Sequence, residues 1–114
     1  MDIVIHRISL KPGVKPDEFE AWVTGTDYAG CPNLPSILSF SVQRAVAPED
    51  APWQYFEVIA VRSIQEFGRD MKTQTFAHLA DGFGRLATVV EEISGQRLEP
   101  GYISRAIARN SRAS

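Results

Sequence analysis

His6 and His78 are the only histidines of this chain, and Cys31 is its only cysteine. An imidazole with an ordinary pKa of about 6.5 can take or give a proton near neutrality, so a histidine in a cavity supplies acid–base chemistry with no cofactor. His6 sits in the middle of an apolar run, with Val4 and Ile8 two residues to either side. Its competing reading is a core histidine that satisfies one hydrogen-bond partner. His78 follows Phe76 by two residues, roughly 110° from the middle of an apolar helical stripe at about 100° per residue. That flank suits a cavity mouth or a solvated boundary equally. Tyr28 and Cys31 share a segment that can cover a cavity, and a phenol there can orient or protonate a substrate heteroatom. Cys31 has no second cysteine to resolve an intermediate, which favours packing over a nucleophile. Asp27 reads as a turn former or helix-end residue. Glu57, between Tyr55 and Ile59 on one strand face, is expected to pair with Arg44 or Arg62, because an unpaired carboxylate on an apolar face is costly. Asp70 and Thr73 flank a break between two helical segments and read first as caps. The catalytic candidates are therefore His6, His78 and Tyr28. The substrate-binding candidates are Trp22, Cys31, Phe40, Glu57, Asp70, Phe76 and Phe83, whose aromatic members are core residues able to line a pocket for flat rings. Gly82-Phe83-Gly84 lies within a helix and is no phosphate loop.

The inventory also excludes chemistry. With 114 residues, two His and one Cys, the chain is one domain's worth and has no ligand set for a zinc ribbon, an iron–sulfur cluster or a disulfide framework. No metal or other cofactor is expected. At 44% hydrophobic and 23% charged, the composition is that of a soluble globular domain. Up to Glu99 there are 9 Lys plus Arg against 14 Asp plus Glu, and only Arg105, Arg109 and Arg112 follow. A nucleic-acid binder would carry a basic stripe through its folded part, so no nucleic-acid partner is expected. No run approaches the roughly 18 apolar residues of a membrane span, and no signal-like segment opens the chain. The expected compartment is cytoplasmic.

The elements that must position these residues follow from pattern. Asp2–Leu10 is β-branched and ends at Lys11-Pro12-Gly13, a strand and a turn. Pro16, Asp17 and Glu18 open a helix carrying Phe19, Trp22 and Val23 inward. Residues 25–35 read as a loop. Residues 36–46 and 54–62 form two strands of a hairpin. Ser63-Ile64-Gln65-Glu66 is a capping box that starts a short helix. Thr73 or Thr75 caps a longer one, in which Phe76, Leu79, Phe83, Leu86, Val90 and Ile93 recur every three or four residues until Gly95 stops it. Residues 102–108 are expected as the last strand. The class is α+β, a ferredoxin-like βαββαβ fold in which a four-stranded antiparallel sheet carries helices on one face. It forms a single domain over 1–108 with a flexible tail at 109–114. Both faces of the first strand are apolar, so the open face calls for a second sheet, and a homodimer built as a dimeric α/β barrel is expected.

This order resembles the dimeric α/β-barrel superfamily, and within it the RedY-like (HapK-like) family. The carrying segments are His6-Arg7-Ile8-Ser9-Leu10-Lys11-Pro12-Gly13-Val14, Phe19-Glu20-Ala21-Trp22-Val23, Phe40-Ser41-Val42-Gln43-Arg44 and Tyr55-Phe56-Glu57-Val58-Ile59. The most distinctive is the run from Asp27-Tyr28 through Cys31 to Leu34-Pro35-Ser36. The likeness spans roughly Met1 to Tyr102. It implies a place among gene clusters for prodiginine pigments and tryptophan-derived bisindoles. Cofactor-free polyketide cyclases of the same barrel carry histidines at positions that His6 and His78 match. Cofactor-free monooxygenases of the superfamily rely on Trp and Asn; here Trp22 is present, but the only asparagines are Asn33 and Asn110. Haem-degrading relatives need an axial histidine on the long helix, and beyond His78 nothing supports haem. The resemblance implies a cofactor-independent enzyme that binds an unstable, small aromatic intermediate derived from indole or pyrrole. It would direct cyclisation, hydration, decarboxylation or coupling by acid–base catalysis. The alternatives are a non-catalytic protein that shields such an intermediate and a cofactor-free monooxygenase.

Overall fold

In the computed structural model, residues 1–107 are described. Strand β1 covers Asp2–Leu10, and the chain turns at Gly13, whose φ of 83° lies where only glycine is comfortable. Helix α1, Pro16–Trp22, starts with proline in its first turn and Asp17 and Glu18 beside it, matching the fixed φ of proline and the helix dipole. The chain does not then become a loop. Val23–Asp27 widens into a π-helical turn, followed by the short helix α2, Tyr28–Gly30, and a 3-10 turn, Cys31–Asn33. The expected loop over 25–35 is thus largely helical, because Val23, Asp27 and Leu34 are buried and tertiary packing overrides the breaker composition. A Cβ on Gly30 would lie 2.8 Å from Leu79, so this glycine serves close approach rather than a turn.

Strands β2, Ile37–Arg44, and β3, Tyr55–Val61, pair antiparallel as the expected hairpin. Helix α3, Ile64–Asp70, begins as the capping box requires, with the Glu66 amide donating to Ser63 Oγ at 3.1 Å. Helix α4, Gln74–Leu86, is capped by Thr73, whose Oγ1 accepts from the Phe76 amide at 3.2 Å.

The last helix–strand boundary differs from expectation. The helix stops at Leu86, and Ala87 turns to an extended backbone with φ −151° and ψ 170°. Strand β4 is Ala87–Gln96, so Val90 and Ile93 belong to the sheet. Residues 88–93 include the β-branched Thr88, Val89, Val90 and Ile93, which favour strands, and β1 has a second edge that must find a partner. The expected strand over 102–108 is replaced by a segment whose Tyr102 and Ile103 are exposed, with Ala108 outside the described residues, as is the tail at 109–114.

The sheet order is β2-β3-β1-β4, antiparallel throughout. Helices cover the face that carries Val4, His6 and Ile8. The core there has two parts. One gathers Ile8, Phe19, Val23, Tyr55 and Ala87, and the other Val4, Ile59, Val61 and Phe67. His6 falls between them, two residues from Val4 on one side and from Ile8 on the other.

Candidate functional site

A cavity of about 220 Å³ opens between sheet and helices where the two halves of the core meet. Its walls are mostly apolar, with Trp22, Phe40, Phe67, Phe76 and Phe83 supplying aromatic surface. Gly82 lets α4 approach the indole of Trp22, since a Cβ there would lie 2.8 Å from Nε1. The polar groups on the wall are His6, Asp27, Cys31 and Glu57.

Register creates the central constellation. His6 on β1 stands opposite Glu57 on β3 and Glu92 on β4. The β1–β4 register shifts between Arg7 and Ile8, leaving Val90 without a partner. This extra residue lets Val89 reach the cavity while Glu92 faces His6, the re-aiming of side chains that a β-bulge performs. His6 Nδ1 lies 2.6 Å from Glu57 Oε2, and Nε2 lies 2.8 Å from Glu92 Oε1. Carboxylates only accept, so both ring nitrogens donate and His6 is held as the imidazolium. Burial lowers its pKa, but the hydrogen bonds and charges of Glu57 and Glu92 outweigh that, and the net direction is upward from 6.5. The Glu57 side chain is 10% exposed and that of Glu92 61%, so the first pairing is enclosed and the second meets solvent. The carboxylates take opposite nitrogens of one ring and do not converge on a common point. Among the described residues no cluster is arranged to hold a metal ion.

Asp27 faces this pair from the helical side. The π-helical turn places it on the cavity wall at 8% exposure. Among the described residues its carboxyl has no hydrogen-bond partner. Burial first, and then the charge of Glu57, push its pKa from 3.8 up to about 7. Beside it Cys31 donates its thiol to the Asp27 carbonyl at 3.4 Å. Burial, Asp27 and Glu57 raise the thiol to about 11, so it stays protonated at neutrality and lines the wall as a neutral group.

Seven of the candidate residues meet here: His6, Trp22, Cys31, Phe40, Glu57, Phe76 and Phe83. Three lie elsewhere. Tyr28 turns its hydroxyl to the β2 edge, where it accepts from the Val42 amide at 2.9 Å, and its ring packs on Phe40. Asp70 is buried and accepts from the Ser36 amide at 2.9 Å and from the Ser36 hydroxyl, tying the start of β2 to the end of α3. His78 is exposed on α4, in a shallow groove with Gly25, Thr26 and Asn33. The ion pair expected between Glu57 and Arg44 or Arg62 is not formed. Arg44 reaches Glu20 on α1 instead, at 2.6 Å, and the register gives Glu57 to His6. Asp27 and Glu92 are the residues that sequence reasoning missed. A regular period-two β4 counted from Val89 would have pointed to Glu91, and the bulge is what sets Glu92 opposite His6 instead.

An antiparallel β2-β3-β1-β4 sheet joined by βαβ crossovers, with helices on one face above a cavity, is a ferredoxin-like fold. The chain belongs to the family of the REDY-like protein HapK, whose family model matches residues 2–98. The crystal structure of HapK from Hahella chejuensis is similar at 45% identity and a TM-score of 0.86, covering 91% of this chain and 99% of that one. SnoaB, a cofactor-independent oxygenase from Streptomyces nogalater, shares the fold at 19% identity and a TM-score of 0.64, over 87% of this chain and 97% of its own. A dimeric protein of unknown function and ferredoxin-like fold from Bacteroides fragilis does so at 9% identity and a TM-score of 0.65, over 84% and 95%. No curated protein matches the chain in sequence. Among the described residues, no helix is long and apolar enough to cross a membrane.

Proposed function

We propose that this protein is a cofactor-independent enzyme of aromatic natural-product biosynthesis. It binds an unstable indole- or pyrrole-derived intermediate in the cavity and directs its cyclisation, hydration, decarboxylation or coupling by moving a proton. One observation carries the reading: two carboxyl groups in different environments face one apolar cavity. Asp27, without a partner and raised to about 7, is poised to donate a proton at neutrality. Glu57, paired with the His6 imidazolium, is a fixed carboxylate able to receive one. Carboxyls driven to different protonation states by their surroundings divide acid and base work between them. His6 acts through Glu57, holding its charge and orientation. The aromatic walls fix one conformer of a flat ring and keep water out, which selects among products of a reactive species. A proton given by Asp27 and one taken by Glu57 keep the count balanced with no change in oxidation state, and exchange with solvent then returns Glu57 to the carboxylate and Asp27 to the acid before the next turnover. The same reading takes the protein to be a cytoplasmic, single-domain homodimer. A second copy would cover the sheet face that carries Ile3, Ile5, Val58 and Ile93, of which Ile93 is 46% exposed.

The test supplies a preformed intermediate under strict anaerobiosis, with wild type, Asp27→Asn or Glu57→Gln. Wild type should shift the product distribution from the spontaneous one, and each variant should lose that shift while still binding. Unchanged steering by both variants would leave only shielding. A shift that appears only with oxygen would make the protein a monooxygenase.

A further inference from the structure

The charge inventory of the cavity selects the substrate further, and this step rests on the reading just given. Among the described residues no Lys or Arg lines the wall. The one cationic group there, His6, has both nitrogens committed to carboxylates. The nearest arginines on the sheet are engaged elsewhere: Arg44 with Glu20, and Arg7 with Glu91 on the opposite face, where it also stacks on Trp53. Against these, Asp27 and Glu57 both line the cavity, each residue 8% exposed, and among the described residues the Asp27 carboxyl has no hydrogen-bond partner.

We infer that the cavity is a receptor for flat N–H-bearing rings that are neutral or positively charged, that it excludes rings carrying a carboxylate, and that Asp27 is the residue that reads the charge. An acceptor-rich wall rewards N–H donors and cations. A carboxylate brought into the same space would lose its water, find no free cation and meet like charge. The size agrees. About 220 Å³ lies below the range of roughly 300–1,000 Å³ of pockets that enclose drug-sized ligands, so one bicyclic ring with a short substituent fills it.

A place in sequence follows for any substrate made from an aromatic amino acid. A reaction that removes or masks the carboxylate must come before this site. Decarboxylation then leaves the set of outcomes assigned above, and cyclisation, hydration and coupling remain.

Indole, tryptamine and indole-3-acetate share a ring and differ in charge, and titration calorimetry with the full chain compares them. Near pH 8, tryptamine and indole should bind, and indole-3-acetate should bind about tenfold or more weakly than tryptamine, as expected for a unit charge near a partly enclosed carboxylate. Asp27→Asn should cut that ratio about threefold or more, since one of the facing charges is gone. Acidifying wild type to about pH 6, which protonates most of Asp27 while indole-3-acetate stays ionised, should narrow the ratio in the same way and needs no variant to fold. Indole-3-acetate binding as tightly as tryptamine would overturn the inference and leave the aromatic cavity standing. A ratio untouched by Asp27→Asn and by acid would remove Asp27 as the reader. Failure of all three ligands to bind would overturn the underlying function together with it.

Discussion

Replacing Asp27 by Asn keeps the shape of the side chain and removes its titration, so stability against pH reports directly on the environment of this carboxyl. The folded protein holds the Asp27 proton up to about pH 7, whereas the unfolded chain releases it near 3.8. Between those values the folded state binds the extra proton, so wild-type stability falls as pH rises, and the loss is complete above 7. A span of roughly 3 in pH at about 1.36 kcal/mol each gives a penalty of about 4 kcal/mol. Asp27→Asn carries no such penalty. The variant should therefore gain on wild type by about 2–4 kcal/mol between pH 4 and pH 8, which is of order 10 °C in Tm for a chain of this length. The assay is urea unfolding of both proteins across that range. Only the pH dependence of the difference matters, so any constant cost of the substitution cancels. A difference that stays flat from pH 4 to pH 8 would refute the reasoning, because Asp27 would then be as well solvated when folded as when unfolded.

Glu57→Gln should lower the pKa of His6, and Glu92→Gln should lower it less, because the Glu57 hydrogen bond is the larger of the two upward contributions; imidazole NMR titration measures both. Gly82→Ala puts a methyl 2.8 Å from Trp22 Nε1, so the indole must swing and the cavity reshape. Ligand affinity should drop while the fold survives, read by calorimetry beside circular dichroism. Phe19 is fully buried, with its ring 4.8 Å from that of Tyr55 and 6.2 Å from that of Phe83. Phe19→Ala should cost about 3–5 kcal/mol in denaturant unfolding, the usual loss for a large aromatic in a core.

What could be read in the sequence was local. Pro16 with Asp17 and Glu18, the box from Ser63 to Glu66, and Thr73 before Phe76 all fix helix starts through contacts within four residues, and each start lies where those contacts put it. The apolar spacing through Leu86, Val90 and Ile93 fits a helix, and what ends the helix is distant: β1 has a free edge that the chain after Leu86 completes. The partner of Glu57 was illegible for a related reason. Arg44 and Arg62 are close in sequence, but strand register sets His6 opposite Glu57 and turns Arg44 toward α1. Asp27 reads as a turn former because its neighbours are Gly25, Gly30 and Pro32, and only the π-helical turn brings it inward. Glu92 depends on a one-residue bulge that no periodicity announces. The aromatic walls were legible, because Trp22, Phe76 and Phe83 keep the helical phase of their own segments.

The central claim is that Asp27 and the His6–Glu57 pair move a proton on a substrate held in one orientation. Running the reaction of a preformed intermediate in D2O and locating deuterium in the product tests it most directly. Wild type should place deuterium at one position and on one face, and Asp27→Asn and Glu57→Gln should each return the scattered labelling of the spontaneous reaction. Identical single-site labelling with and without the two carboxyls would contradict the account.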